Sequence, residues 1–155
     1  RAAMPDITLR TTLLVGYPGE TEEEYAELCE FVKTARFERL GCFAFSPEEG
    51  TAAAKMEFPE EEIAVRRAEI VSELQSRIMD EYNEERLGTC MEVLCEGFDQ
   101  EEGCFVGRTY ADSPEIDGRV WLACDEPLTE GEFVMVHIDG LIDGDLSGYV
   151  IEEDA

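Results

Sequence analysis

The sequence predicts two structural parts, an α/β piece over residues 1–86 and an all-β, five-stranded OB-like barrel over residues 87–155. An apolar run leads straight into a glycine- and proline-containing turn and a helix start at residues 13–24, which is typical of a strand–helix unit. A long helical pattern follows. Near residue 87 the chain changes to short strands separated by turns rich in glycine, aspartate and proline.

The first helix start is defined by residues that can cap it. Thr21 can accept a hydrogen bond at the start of the helix, and Glu24, three residues later, can bond back to the cap. Glu22 and Glu23 lie at the positive end of the helix dipole. The helix is expected to end near Arg36. Such turns lie at the carboxyl ends of parallel strands, where α/β folds bind ligands.

A second strand and a long helix complete the first part. Residues 40–45 form a short apolar strand, and the right-handed crossover rule predicts that Leu14 and Phe43 lie on parallel strands. A helix of roughly 35 to 40 Å begins at Pro59. Its mainly apolar stripe at helical spacing consists of Ile63, Ala64, Arg67, Ile70, Val71, Leu74, Ile78 and Tyr82. Two strands cannot close a core by themselves, so we expect this part to be the end of a larger α/β sheet or barrel.

The second part reads as five strands around one core. Alternating apolar residues such as Met91, Val93 and Cys95 predict one buried face for each strand. The predicted strands are residues 89–96, 104–110, 119–124, 132–138 and 146–151, and the predicted turns are 97–99, 113–118, 125–131 and 139–144. This spacing favours a small Greek-key barrel of the OB type.

The charge is strongly acidic and unevenly distributed. The chain has 38 acidic and 12 basic residues, a net charge of −26. Residues 87–155 contain 18 acids but only two cations, Arg108 and Arg119. Because nucleic-acid binding needs cations at the phosphates, we expect no direct nucleic acid binding and a basic macromolecular partner. The alternative is a merely solvated acidic surface.

The cysteines show no metal-binding spacing. The six are Cys29, Cys42, Cys90, Cys95, Cys104 and Cys124. No C-x-x-C pattern links them, so we expect buried small hydrophobic residues and no metal site. A zinc site formed by the last four is the alternative. His137, the only histidine, is expected to face solvent or a hydrogen-bond partner, so no acid–base centre is predicted.

Two segments carry a resemblance to a known family. Residues 10–21 (Arg-Thr-Thr-Leu-Leu-Val-Gly-Tyr-Pro-Gly-Glu-Thr) and 43–51 (Phe-Ala-Phe-Ser-Pro-Glu-Glu-Gly-Thr) resemble the last two barrel strands of the radical S-adenosylmethionine (radical SAM) methylthiotransferases. The second half of the chain, with residues 128–136 (Leu-Thr-Glu-Gly-Glu-Phe-Val-Met-Val), resembles the TRAM domain at the C-terminus of those enzymes. The resemblance implies that residues 1–86 are the C-terminal part of a radical SAM barrel with a linking helix, and that residues 87–155 are a TRAM domain.

The family has two branches, of which one modifies an adenosine in transfer RNA. The other, the RimO type, modifies an aspartate of the small-subunit ribosomal protein S-twelve. The transfer RNA branch usually has Arg-Pro-Gly-Thr where this chain has Glu-Glu-Gly-Thr at residues 48–51. Residues 107–118 are similar to the protein-modifying branch, and an acidic TRAM domain suits a basic ribosomal protein. The resemblance therefore favours the RimO type.

The resemblance implies a radical reaction at the β-carbon of the aspartate, with S-adenosylmethionine and two [4Fe–4S] clusters as cofactors. The cluster ligands of the family belong to N-terminal segments. We therefore expect this chain alone to bind no cluster, to contain no catalytic residue and to be inactive.

The predicted S-adenosylmethionine contacts are Val15, Gly16, Phe45 and Ser46, through backbone groups and packing against adenine. For Gly16 the alternative is turn geometry. Five acidic residues are candidates for binding the basic substrate, with plain solvated surface as their alternative. They are Glu48, Glu49, Asp112, Glu115 and Asp117.

The chain begins with Arg1 rather than Met, so we expect it to be cut from a longer protein. It has no apolar run near the roughly 20 residues that span a bilayer. We therefore expect a cytoplasmic protein without membrane contact.

Two other functions compete with the RimO type. They are a transfer RNA adenosine methylthiotransferase and a stand-alone acidic protein-interaction module.

Overall fold

The computed structural model describes residues 1–151 and divides the chain into two compact units at the boundary between Met79 and Asp80. The elements are β1 (Arg10–Val15), α1 (Glu22–Ala35), β2 (Arg39–Ala44), a 3₁₀ turn (Ala53–Lys55), α2 (Glu61–Glu84), β3 (Cys90–Asp99), β4 (Cys104–Arg108), β5 (Val120–Ala123), β6 (Phe133–Ile142) and β7 (Asp145–Val150). Neither α-helix within residues 1–151 has the length and apolar character needed to cross a membrane.

β1 and β2 are adjacent parallel strands, which confirms the expectation from the crossover rule. Their register pairs Leu14 with Phe43 and Val15 with Ala44. Because side chains alternate along a strand, Leu14 and Phe43 share one face, where they are 48% and 61% exposed. Val15 points to the opposite face and is fully buried. At the carboxyl ends of the two strands, one face of this sheet is therefore packed, and the other presents the exposed apolar side chains of Leu14 and Phe43.

The capping chemistry of α1 is as the sequence predicts. The Glu24 N–H donates to Thr21 Oγ1 at 3.2 Å, and the Thr21 N–H donates to Glu24 Oε2 at 2.9 Å. At the other end Arg36 adopts a left-handed conformation with φ of 47°, and its N–H donates to the Val32 carbonyl at 3.0 Å. The helix therefore begins and ends where its sequence signals lie.

α2 departs from the predicted pattern in two ways. It begins at Glu61 rather than at Pro59, and its 24 residues span about 36 Å. Ile63 and Ile70, which the pattern placed on the packed stripe, are exposed. The buried positions of this helix are Ala64, Arg67, Val71, Gln75, Ile78 and Asn83. Two of the apolar positions of the stripe are thus exposed, while polar side chains make specific contacts inside.

The five strands of the second unit close into a barrel in the order β3-β4-β5-β7-β6, with β3 also paired to β6. Only β5 and β7 are parallel among these pairs. The predicted OB-like barrel is therefore confirmed at the level of strand number and closure. Its core consists of Val93, Val120, Leu122, Val136, Ile138 and Leu146.

Two of the predicted turns are wrong, because their glycines lie in irregularities within long strands. β3 continues through residues 97–99, with a register shift next to Gly97, whose φ is 132°. β6 continues to Ile142 past a register shift between Ile138 and Gly140. The connection to β7 is only the two residues 143 and 144, both with positive φ, as tight hairpins require. A glycine in a strand often marks such a bulge.

Close strand approach at Gly107 gives a test of the barrel packing. A Cβ at Gly107 would lie 2.5 Å from the Leu94 carbonyl oxygen and 2.6 Å from Val93 Cγ1. We expect Gly107→Ala to lower the free energy of unfolding of the second unit by about 2 kcal/mol, because the strands must separate. The measurement is urea unfolding followed by the fluorescence of Trp121, the only tryptophan.

The matched control is Gly103→Asn in the β3–β4 turn. Gly103 has φ of 71° and no atom within 4 Å of the position that a Cβ would take. Asparagine tolerates the left-handed region, so the expected loss is below about 1 kcal/mol. Equal losses for the two variants would contradict crowding at Gly107.

Candidate functional site

The carboxyl ends of β1 and β2 form a rim that contains the residues predicted to face S-adenosylmethionine. We define the strand-end rim as Val15, Gly16, Phe45 and Ser46. The Phe45 N–H donates to the Val15 carbonyl at 2.8 Å, which ties the two strand ends together. Val15 and Gly16 are buried, Phe45 is half-buried, and Ser46 is exposed.

Gly16 is required by the fold at this rim. Its φ is 74°, and a Cβ would collide with the side chain of Ala64 in α2. The Gly16 N–H donates to Glu20 Oε1 at 3.0 Å. Turn geometry and packing therefore account for this glycine, and its N–H already has an acceptor.

Arg67, on α2, supports the same turn. This contact could not be predicted from the sequence. Its guanidinium donates to the carboxylates of Glu20 and Glu22 and lies 5.0 Å from the centroid of the Tyr25 ring. Burial lowers the pKa of Arg67, but hydrogen bonds and charges from Glu22 and Glu20 outweigh it and raise the pKa overall. The spacing of Arg67 on the apolar stripe was its only signal.

Aromatic side chains surround Phe45 on two sides. The centroid of its ring lies 5.4 Å from that of Tyr17 and 5.5 Å from that of Phe58, both in edge-to-face geometry. Such contacts fix the plane of a ring more firmly than burial alone. The rim therefore contains an oriented aromatic ring, and the next residue along the chain, Ser46, is exposed.

The acidic residues predicted to bind a substrate fall into two groups. Glu48, Glu49 and Glu115 are exposed. Asp112 is buried, and its Oδ2 accepts hydrogen bonds from the Thr109 N–H at 3.0 Å and from Thr109 Oγ1 at 2.6 Å.

Asp117 has a similar internal bond, since its Oδ2 accepts from the Ser113 N–H at 2.6 Å. Asp112 and Asp117 therefore hold the β4–β5 loop, residues 109–119, in its conformation. Glu115 lies at the tip of that loop with a left-handed φ of 61°. Local hydrogen bonds of this kind follow from the fold of the loop, which the sequence alone did not specify.

The two arginines of the barrel are both paired with carboxylates. Arg108 Nε lies 2.8 Å from Glu96 Oε1, and Arg119 Nη1 lies 3.4 Å from Asp99 Oδ2. Since residues 87–155 contain no other lysine or arginine, the remaining carboxylates have no cation of this part of the sequence to neutralise them. The surface of the barrel is therefore suited to a positively charged partner.

The cysteines of the described residues form no metal-binding group. No group of three or more histidine, cysteine or acidic residues able to hold a metal is found within residues 1–151, so the alternative zinc site is not supported. Cys95 is fully buried, as expected, but the expectation is wrong for Cys90, which is exposed. Cys90 Sγ lies 3.7 Å from Nδ1 of His137. The centroid of the His137 ring lies 5.0 Å from that of the Tyr149 ring.

Comparison with known proteins gives a consistent family. Residues 87–151 match the profile of the TRAM domain. Ribosomal protein uS12 methylthiotransferase RimO of Caldanaerobacter subterraneus subsp. tengcongensis is 44% identical over 148 residues, 94% of this chain and 33% of that protein. The RimO of Acetivibrio thermocellus is 43% identical over 155 residues, 99% of this chain and 34% of that protein. The chain spans about a third of the length of these relatives.

Removing the Arg67 guanidinium tests the support of the rim. Arg67→Met leaves the carboxylate of Glu20, whose side chain is 13% exposed, without its cation. We expect the opening free energy of the β1 and α1 amides to fall by about 3 kcal/mol, because an uncompensated charge stays partly buried. Hydrogen exchange of those amides, followed by mass spectrometry, is the measurement.

The control for this variant is Lys33→Met, which removes an exposed ion pair with Glu30 and is expected to cost below about 0.5 kcal/mol. The double variant Arg67→Met/Glu20→Gln should recover part of the loss, since it also removes the stranded charge. A loss no larger than that of Lys33→Met would contradict the role of Arg67.

Thiol alkylation by iodoacetamide tests the environments of the cysteines. Burial, with smaller contributions from Cys29 and Glu20, raises the pKa of Cys42 to about 11. At pH 8 we expect Cys90 to react first and Cys95 to stay unmodified, since the one is exposed and the other fully buried. The rate at Cys42 should still rise with pH above 9, because its thiol ionises later than an ordinary one. Equal rates at Cys42 and Cys90 at pH 8, read by mass spectrometry, would contradict this order.

Proposed function

Since this chain belongs to the family of RimO methylthiotransferases, we propose that it forms the C-terminal third of an enzyme of that family. The relatives are named for the methylthiotransfer to ribosomal protein uS12. We assign the same reaction to the whole protein, at the β-carbon of an aspartate of uS12. The observation that carries this proposal is the 43–44% identity over nearly the whole chain.

We assign residues 1–86 to the end of a radical SAM barrel with its linking helix, and residues 87–155 to the TRAM domain. The parallel pairing of β1 and β2 and the exposed apolar face with Leu14 and Phe43 support the first assignment. A two-stranded sheet needs further strands to bury such a face. The preceding part of the protein would supply them.

The cofactors of the proposed enzyme are S-adenosylmethionine and two [4Fe–4S] clusters, which together supply radical hydrogen abstraction, sulfur insertion and methyl transfer when bound. The cysteines of residues 1–151 do not fit a cluster, because no three metal-ligating side chains among these residues are arranged to hold a metal ion. The strand-end rim fits the nucleoside part of S-adenosylmethionine at two residues. Phe45 offers an oriented ring for adenine, and Ser46 offers an exposed hydroxyl.

Val15 and Gly16 have a supporting role in this proposal. The Val15 carbonyl accepts from Phe45, and the Gly16 N–H donates to Glu20, so both backbone groups are used by the fold. They set the separation of the two strand ends and thereby the place of the Phe45 ring.

The acidic barrel is assigned to binding the basic protein substrate. In the barrel, Glu115 is the exposed candidate for contact, and Asp112 and Asp117 hold the loop that presents it. Glu48 and Glu49, which follow β2 in the first unit, are further exposed candidates. A strongly acidic surface attracts a basic protein over several ångströms and repels a phosphate backbone. A ribosomal protein as substrate also implies a cytoplasmic enzyme.

The whole gene product, with reconstituted clusters, tests the reaction. Incubated with uS12, S-adenosylmethionine and a reductant, it should add a methylthio group to one aspartate, as measured by peptide mass spectrometry. Transfer to an adenosine of transfer RNA instead would place the protein in the other branch. If the whole product modifies neither partner, the chain is better described as an acidic interaction module.

The present chain by itself gives the complementary result. Anaerobic reconstitution with iron and sulfide should leave it with negligible bound iron, since residues 1–151 contain no group of three side chains arranged to hold a metal ion. Iron analysis of the desalted protein is the measurement. Stoichiometric cluster binding with turnover would contradict the assignment of the clusters to the rest of the enzyme.

A further inference from the structure

The outer face of the barrel carries a groove of about 490 Å³. It lies between strands β3 and β4 on one side and the β4–β5 loop and the turn at residues 130–131 on the other. Leu94 and Val106 contribute apolar side chains, and Glu96, Arg108, Glu115 and Glu130 contribute charged ones. All these residues belong to the second unit.

The register of the strands places the side chains of Leu94, Arg108 and Val106 on one face of the sheet. Leu94 pairs with Phe133 on β6 and with Arg108 on β4, and Val106 pairs with Trp121 on β5. Residues that pair across strands share a face, so these side chains all point outward. The groove floor therefore presents the apolar side chains of Leu94 and Val106, with Arg108 on the same outward face.

The charges of the groove leave two carboxylates uncompensated. Arg108 is paired with Glu96, and Arg119 is paired with Asp99 and lies 5.4 Å from the Trp121 ring. Glu115 and Glu130 are exposed and have no ion pair or side-chain hydrogen bond among residues 1–151. A positively charged group of a partner would compensate these two carboxylates.

The conformation of Glu115 agrees with this complement. Its φ of 61° is uncommon for a residue other than glycine, asparagine or aspartate. Within residues 1–151 its side chain makes no hydrogen bond or ion pair that would explain a glutamate there. The Asp112 and Asp117 hydrogen bonds hold the loop so that this carboxylate borders the groove.

We infer that this groove binds an extended segment of a basic protein, with an arginine or lysine at Glu115 and Glu130 and an apolar neighbour on Leu94 and Val106. The inference deepens the proposed function, on which it rests for the identity of the partner as uS12. A nucleic acid is disfavoured here, because its phosphates would meet the two free carboxylates while both arginines are already paired.

The test compares two variants of the full chain that remove the same charge. Glu115→Gln/Glu130→Gln changes the groove, and Asp125→Asn/Glu126→Gln changes exposed carboxylates of a separate depression. Each is titrated with uS12 and with a synthetic peptide of alternating arginine and leucine, at low salt, by isothermal titration calorimetry. We expect the groove variant to bind both probes about tenfold more weakly and the control variant to change by less than about threefold.

The fluorescence emission of Trp121 gives a second readout, which binding through diffuse charge alone would not change. Trp121 is the only tryptophan and lies beside Val106 in the register, so binding in the groove should change its emission saturably. The change should saturate at correspondingly higher probe concentrations in the groove variant. The folding of each variant is checked by its circular dichroism.

The outcomes separate the two proposals. If uS12 binds the wild type and both variants weaken equally, the groove is not the site, while docking through diffuse charge survives. If the peptide binds with the expected order but uS12 does not bind at all, the groove is supported and the proposed partner fails. If neither probe distinguishes the groove variant from the control, the inference is overturned.

Discussion

Uncompensated negative charge is the constraint under which the barrel of residues 87–155 folds. Residues 87–155 contain 18 acidic residues and two arginines, and both arginines are already paired within the barrel. Such self-repulsion disfavours a compact state unless packing outweighs it. The closed strand order and the buried core of six aliphatic side chains provide that packing. The charge is thus tolerated by the fold, and in the proposed enzyme it would attract a basic partner.

The first unit solves a different problem, which is to hold two strand ends at a fixed separation. Gly16 lets α2 approach β1, and Glu20 links the Gly16 N–H to the buried guanidinium of Arg67. This link stiffens the turn, because one carboxylate serves both a backbone donor and a charged side chain. Phe45 then lies in a defined plane between two aromatic neighbours. In the proposed enzyme such stiffness would keep a bound nucleoside in one orientation.

Local sequence signals predicted the features that local chemistry determines. The capping residues Thr21 and Glu24, the parallel pairing of Leu14 with Phe43 and the five barrel strands all follow from short-range patterns. Contacts between distant segments were not predictable in this way. Arg67 looked like one position of an apolar stripe, although its partners lie more than 40 residues away. Gly97 looked like a turn because a bulge and a turn use the same residue types.

The salt dependence of binding tests the central claim, that this acidic barrel holds a basic protein and cannot hold a polyanion. The affinities of the chain for uS12 and for transfer RNA should be measured from low to physiological ionic strength. We predict that the affinity for uS12 falls steadily as salt rises, because screening weakens the attraction between opposite charges, and that transfer RNA does not bind even at low salt. Binding of transfer RNA that weakens with salt, or an affinity for uS12 that salt leaves unchanged, would contradict the account.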